Sequence, residues 1–309
     1  MPSVTVVIPA YNAESYIHVA LGSIGEQTLR DLEVVLVDDG SSDGTVREAE
    51  RFSGSLDLKI IRQANAGPAA ARNFGIRQAR GRFCAFLDSD DVMLPERLQE
   101  QAALLMANPG LGLVHTDLMT FDEAGVIHRT RRAFSDPCGG AILDRLLLDN
   151  FITTSTVMAP TERLRAAGFF DERRRISEDF ELWLRMAARW EVGYIDRPLV
   201  KYRSRPGSLS DDKLAAGIAA LEVVEAFWEQ HDDYRRGHPS IHRKSLARHL
   251  SVAGAAAISQ GRRRLALKYL LRSLTRDPVS PVAWKRLVKA FLVAQSQAKG
   301  SPANPREVA

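Results

Sequence analysis

Cysteine is nearly absent from this chain. Cys84 and Cys138 are the two in 309 residues, too few and too far apart for a metal knuckle or a disulfide framework. Cys84 falls in an apolar run and reads as a small packed hydrophobe, and such usage fits a reducing, cytosolic setting. No apolar run approaches the roughly 18 residues that a membrane span needs, so a membrane surface is the one lipid setting left open. A secretory leader's charged start is missing too, because Met1-Pro2-Ser3 leads straight into a strand. A cytoplasmic location is therefore expected. What is present is ordinary for a globular protein, with 45% hydrophobic and 26% charged residues. The length suits one large or two modest domains.

The net charge of +4 hides an asymmetry. Between Arg243 and Lys289 the chain carries twelve Lys or Arg residues and one acid, Asp277. A solvated helical surface is the plain reading, and attraction to anionic headgroups, worth ~1 kcal/mol per basic residue, is the functional one. Nucleic acid is not expected as a partner, because no reading motif accompanies the charge.

Along the first two thirds, apolar runs alternate with amphipathic segments. Strands are expected at Val4–Ile8, Leu32–Val37, Leu58–Ile61, Phe83–Leu87 and Leu111–His115. Helices are expected at Ala13–Gln27, Gly67–Ala79 and Leu98–Met106. Such alternation implies an α/β fold with a mostly parallel sheet and right-handed crossovers. Ligands then bind beyond the carboxyl ends of the strands. From Phe121 to Cys138 the pattern weakens into an expected loop carrying Arg129, Arg131 and Arg132. Beyond Ser210 the chain becomes rich in Ala, Leu and Arg with helical periodicity. Ala256–Leu292 reads as two helices broken at Asp277-Pro278, and the last ten or so residues, from Lys299, read as a disordered tail. The expected division is 1–210, a helical appendage over 211–298, and a tail over 299–309.

Every unusual acidic cluster in the first part falls at a strand end. Phe86-Leu87-Asp88-Ser89-Asp90-Asp91 is the densest. Strand alternation would point Asp88 and Asp90 the same way, with Ser89 opposite. Two such carboxylates about 4 Å apart repel by ~4 kcal/mol at an effective dielectric near 20. A cation, a proton or an arginine must sit between them. Hard oxygen ligands at a cleft suit Mg²⁺ or Mn²⁺ bridging to substrate phosphates. The bland alternative is that Asp90 or Asp91 caps a helix starting near Pro95.

Other constellations repeat the placement. Asp38-Asp39-Gly40-Ser41 could accept from a base imide, a ribose hydroxyl or an arginine, or form a turn in which Ser42 or Asp43 caps the next helix. Tyr11 could stack on a flat base or merely cover a sheet edge. Arg72 could meet a phosphate or an aspartate, or simply be solvated. Glu178 and Asp179 open a helix whose dipole would keep Asp179 ionised, as a general base requires.

Together these residues resemble the family 2 glycosyltransferases, which have the Rossmann-like nucleotide-sugar fold called GT-A. The resemblance rests on Val6-Val7-Ile8-Pro9-Ala10-Tyr11-Asn12, Val37-Asp38-Asp39-Gly40-Ser41, Ala71-Arg72-Asn73-x-Gly75 and the Asp88 cluster. It continues through Gly168-Phe169-Phe170-Asp171, Glu178-Asp179-x-x-Leu182-Trp183-x-Arg185 and Tyr202-Arg203, over residues 1 to 210. It implies a GT-A domain with a mixed, mostly parallel sheet, followed by the helical appendage. It also implies that Tyr11 and Asp39 hold the base of a nucleoside diphosphate, with Arg72 nearby. Pro9, Ala10, Glu14, Asp88, Ser89, Glu178 and Arg205 complete the nucleotide-sugar site it implies. Asp88 and Asp90 match the metal motif, Asp90 as direct ligand to Mg²⁺ or Mn²⁺, and Asp179 matches the catalytic base.

The activity implied is inverting transfer from a nucleotide sugar, expected to be UDP-linked, to a hydroxyl of a glycan or lipid-linked acceptor. Polysaccharide biosynthesis is the expected setting, peripheral to the membrane through the basic helices. The family's Tyr-Arg-x-His stretch carries Arg205 in place of histidine here, which predicts a looser metal requirement. No Gln-x-x-Arg-Trp motif of processive synthases occurs, so single-sugar transfer is expected. Two rivals are a sugar-nucleotide pyrophosphorylase and a non-catalytic nucleotide-sugar-binding scaffold of the same fold. The first would need a Gly-rich loop where Pro9-Ala10-Tyr11-Asn12 stands, and the second would tolerate loss of Asp179.

Overall fold

The structure, a computed structural model, describes residues 2–122, 124–130, 136–205 and 211–299. The chain divides into two compact units, 1–211 and 212–309.

In the first unit, β1 (Val4–Ala10) and β2 (Leu32–Asp38) are buried on both faces, as continuous apolar runs in a parallel sheet must be. β3 (Leu58–Arg62) and β4 (Phe83–Phe86) flank them, and all four run parallel in the order β3-β2-β1-β4. The sheet then turns mixed. β8 (Met158–Pro160) is antiparallel to β4, and β6 (Leu113–Phe121) is antiparallel to β8. β9 (Val192–Arg203) lies parallel to β6, with the short β5 (Val92–Met93) at its far edge. β7 (Ile127–Thr130) pairs only with β6.

The helices α1 (Ile17–Gly25), α2 (Thr45–Glu50) and α4 (Arg97–Ala107) cover one face. There Ile17, Leu21, Ala49, Leu98 and Leu105 pack on Val6, Ile8, Leu36, Ala85 and Leu87. The alternate side chains, Val35 and Val37, meet Ala71 of α3 (Pro68–Gln78) on the opposite face. The remaining helices of this unit are α5 (Leu143–Leu148), α6 (Thr161–Ala167) and α7 (Glu178–Ala187).

Three expectations shift. The first helix begins at Ile17 rather than Ala13, because 13–16 form a turn closed by the Tyr16 N–H on Ala13 O. The strand expected at 111–115 runs on to Phe121, since β6 bulges between Thr116 and Leu118 to keep pairing with β9. Part of the expected 121–138 loop is strand β7, while Arg131 and Arg132 lie outside the described residues.

The second unit is helical: α8 (Lys213–Gln230), α9 (Asp232–Gly237), α10 (Pro239–Ser259), α11 (Arg263–Arg276) and α12 (Pro281–Lys299). Asp212 caps α8 by accepting from the Leu214 and Ala215 amides. Leu270 and Leu274 pack against Ala283, Leu287 and Ala290, forming a core separate from that of the sheet. The chain breaks at Asp277-Pro278 as expected, but Ala256–Ser259 belong to α10 and Lys299 ends α12. No helix among the described residues is long and apolar enough to cross a membrane.

Candidate active site

The ends of β1, β2 and β4 lie side by side, with Ala10 paired to Asp38 and Val7 to Phe86. The loops that follow are laced together. Asn12, in left-handed backbone at φ 47°, donates its N–H to Ser41 Oγ and accepts the Ser42 N–H. This zipper presents the Tyr11 ring to solvent at 53% exposure, beside the half-buried Pro9 and buried Ala10.

Asp39 is buried and already engaged. Its Oδ1 accepts from Gln63 Nε2 at 2.7 Å and the Ala66 N–H at 2.8 Å, and its Oδ2 from the Gly67 N–H at 2.8 Å. The carboxylate thus shapes the loop into α3, leaving room for about one more donor. Glu14 is likewise spent, on the Gly44 N–H at 3.0 Å and Arg47 at 2.6 Å, so it steadies the start of α2. Asp43 caps that turn through Thr45, the plain alternative weighed for this motif.

Beyond β4 the strand alternation does not hold. The Asp91 N–H closes a turn on Asp88 O at 3.1 Å, so Asp88, Asp90 and Asp91 point to different partners. Asp88 Oδ1 meets Arg72 Nη2 at 2.7 Å, and Asp90 Oδ2 meets Arg205 Nε at 2.8 Å. Asp88 Oδ2 and Asp90 Oδ1 receive no hydrogen bond among the described residues. Asp91 is 1% exposed, and burial, then Asp90 and Asp88, push its carboxyl well above the ordinary range. Two of the three solutions to crowded carboxylates are therefore in place, an arginine for each outer acid and a favoured proton for the inner one. None of these acids caps α4, which starts at Arg97 without a side-chain cap. Ser89 sits half-buried in the turn, its hydroxyl unbonded among the described residues.

Arg72 does not face outward. It is 5% exposed and bridges Asp88 to Glu178, whose Oε1 lies 2.6 Å from Nη1. Burial works against its charge, but Asp88 and Glu178 outweigh that and hold the guanidinium above its ordinary value. Glu178 and Asp179 open α7 after Ser177, itself in left-handed backbone at φ 62°. Asp179 accepts from Thr154 Oγ1 at 3.0 Å and from the Phe180 N–H at 2.6 Å.

The helix dipole does not decide this carboxyl. Burial, the largest influence, raises its pKa in spite of Arg72, Phe180 and Thr154, and Glu178 is raised by burial as well. Beneath the acids, Phe86, Phe170 and Trp183 lock α7 to β4, with ring centroids 5.6, 6.2 and 5.8 Å apart. Asn73 exchanges two hydrogen bonds with the Phe170 backbone and ties α3 to the same turn.

Arg205 therefore touches an aspartate rather than standing free toward an anion. Its guanidinium also lies 5.3 Å from the Tyr16 ring. Arg203 stacks between Tyr16 at 4.9 Å and Phe121 at 4.4 Å, while its N–H holds Asp91 Oδ1 at 2.9 Å. Tyr16 and Thr154 escaped the sequence reading. The only signal for Thr154 was the run of four hydroxyl residues, Thr153 to Thr156, after an apolar pair.

The family model described as glycosyl transferase family 2 matches residues 5–177. The chain belongs to that family. A glycosyltransferase of Rickettsia felis is 31% identical over 70% of this chain, which spans about a third (36%) of that relative's length. The Escherichia coli UDP-Glc:alpha-D-GlcNAc-diphosphoundecaprenol beta-1,3-glucosyltransferase WfgD is 28% identical over 73% of the chain and 87% of its own length. Two solved structures share the fold. Staphylococcus aureus TarS 1–349 in complex with UDP has a TM-score of 0.59 at 20% identity, covering 100% of this chain and 94% of that one. The Pyrobaculum calidifontis mannosyltransferase PcManGT with GDP-Man and Mn²⁺ has a TM-score of 0.61 at 19% identity, covering 97% and 87%. The first unit is thus a GT-A-type fold, with a mixed, mostly parallel sheet.

Proposed function

We propose that this family member is an inverting, non-processive glycosyltransferase. It moves a sugar from a nucleotide-diphosphate donor, expected to be a UDP-sugar, to a hydroxyl of a glycan or lipid-linked acceptor. The observation that carries the reading is the Asp88–Arg72–Glu178 bridge, with Asp179 next in sequence to Glu178. It joins a carboxylate at the strand ends, where a diphosphate would lie, to the residue that precedes Asp179, the carboxylate proposed as base. UDP and a lipid-linked acceptor are favoured because WfgD is named for both. The catalytic part is assigned to residues 1–210 and the helical region to 211–299, while the rest of the expected tail, 300–309, lies outside the described residues. The setting is polysaccharide biosynthesis in the cytoplasm, at the membrane surface.

In this mechanism Tyr11 stacks on the base and Asp39 accepts one further hydrogen bond from it. Pro9, Ala10 and Ser89 line the donor's path, while Glu14 acts through the Gly44 turn. Asp179 removes the proton from the acceptor hydroxyl, whose oxygen attacks the anomeric carbon as the bond to the diphosphate breaks. Attack opposite the leaving group inverts that carbon. Thr154 and the Phe180 N–H hold Asp179 in place, and the charge of Arg72 favours its ionised form.

The residues also fit a divalent cation. Asp88 and Asp90 each keep one carboxylate oxygen free of donors, and among the described residues no cluster of three or more protein ligands forms. One or two carboxylates plus substrate phosphates is how Mg²⁺ is usually held. Bound there, Mg²⁺ or Mn²⁺ would supply charge neutralisation for the leaving diphosphate. The PcManGT complex with Mn²⁺ supports that role in this fold.

Calorimetric titration with UDP, dTDP, GDP and CMP, each with and without Mn²⁺, tests the reading. One nucleotide is expected to bind tightly, and less so without metal. No binding to any of them would overturn it. Asp179→Asn should abolish transfer and leave donor affinity intact; a fully active variant would remove the base.

A further inference from the structure

We propose that the outward face of α12, with the turn before it, docks this protein on an anionic lipid surface. Four of the eleven exposed large hydrophobic side chains among the described residues fall within ten positions: Val279, Val282, Trp284 and Val288, at 85, 53, 50 and 53% exposure. The others are mostly scattered, as single exposed apolar residues usually are. The inner face of α12 is already used, with Ala283, Leu287 and Ala290 packed on Leu270 and Leu274. At 100° per residue, Lys285 stands opposite that seam, with Val288 and then Trp284 on one side of it and Lys289 and then Val282 on the other.

Each component suits a headgroup layer. The Trp284 indole donates its N–H to Pro278 O at 2.8 Å, so the ring can enter an apolar boundary without an orphaned donor. Lys285 and Lys289 are exposed and have no acidic partner among the described residues. Asp277 is the single acid between Arg263 and Lys299. Lysines flanked on the outward arc by valines and a tryptophan combine headgroup attraction with apolar side chains that can enter the boundary. A nucleic acid would satisfy the lysines and give the three valines nothing. A second copy would bring the same lysines against each other.

The inference deepens the proposed function, resting on it only in that a lipid-carried acceptor gives the surface a use. The test is flotation of the full chain with vesicles of mixed phosphatidylglycerol and phosphatidylcholine, against phosphatidylcholine alone, at low and high salt. Binding is expected to the mixed vesicles only and to be released by salt. Emission should shift to the blue in wild type and not in Trp284→Phe, which isolates that ring from the other three tryptophans. Lys285→Gln with Lys289→Gln should weaken partition about thirtyfold.

All these positions are exposed, so a melting curve should confirm an intact fold. No flotation with anionic vesicles would overturn the proposal, as would unchanged flotation in Val282→Asp with Val288→Asp. A concentration-dependent dimer lost in that same variant would assign the face to a second copy instead. Nucleotide titration without vesicles reads the proposed function separately, so either idea can fail while the other stands.

Discussion

Asp179 shows how a single residue's environment sets a measurable property. Burial lifts its carboxyl above the ordinary 3.8, and the Thr154 hydroxyl works against the rise by bonding the ionised form. The base proposed here acts only when ionised, so kcat should fall as pH drops through the raised value, earlier than for an ordinary aspartate. Because Glu178 interacts with Asp179, that limb belongs to the pair. Thr154→Val keeps the shape and removes the hydrogen bond. It should move the acidic limb of the pH–kcat profile further up; a limb that stays put would dismiss Thr154. Asp91 gives the opposite kind of test. A carboxyl raised in the folded state lends stability below its unfolded pKa and loses it as pH rises through the folded one. Asp91→Asn should therefore melt higher than wild type at pH above the raised value and show little gain in acid. Arg205→Ala should change donor affinity and its dependence on Mn²⁺ together, because it frees the Asp90 oxygen that the guanidinium now holds. If calorimetry finds neither altered, Arg205 has no part in the diphosphate site.

At the scale of elements, α3 owes its position to one missing methylene. A Cβ on Gly75 would collide with Val7 Cγ1 in the buried β1. Gly75→Ala should push α3, with Arg72 and Asn73, off the sheet and cost about 1–3 kcal/mol, as overpacking does. Val7→Ala in the same chain should recover part of the melting temperature and of the activity, a coupling that two independent sites would not show. Such contacts explain what could be read from residues alone. Strands β1 to β4 and helix α3 were legible because an apolar run, or a Gly-Pro start, states its own local structure. The placement of Asp88, Asp90 and Asp179 near strand and helix ends was legible for the same reason. The partners were not. That Asp39 would turn to the Ala66 and Gly67 amides, Glu14 to Gly44 and Arg72 inward to Glu178 depends on loops closing over 27 to 106 residues. Alternation failed at Asp90 because the chain leaves the strand at Leu87 and turns, and a period of two says nothing about where a strand stops.

For the whole molecule the governing fact is that the chain divides into two compact units, one built on the sheet and one of C-terminal helices, each with hydrophobic clusters of its own. The residues proposed to hold the donor all belong to the first unit, whereas the apolar and basic face of α12 belongs to the second. The energy of donor binding therefore enters the molecule at one unit. A ligand present at about a hundred times its Kd stabilises what binds it by ~2.7 kcal/mol and leaves alone a cooperative unit that does not. If each unit melts by itself, calorimetric scans should show two transitions, and UDP with Mn²⁺ should raise only one. Asp90→Asn, which keeps the shape but weakens an oxygen proposed for the cation, should abolish most of that rise without moving the other transition. A single transition that nucleotide lifts whole would mean the two units unfold together. The helical unit would then share in the stabilisation it cannot itself provide, and substitutions on α12 that loosen its fold would reach the donor site through stability alone.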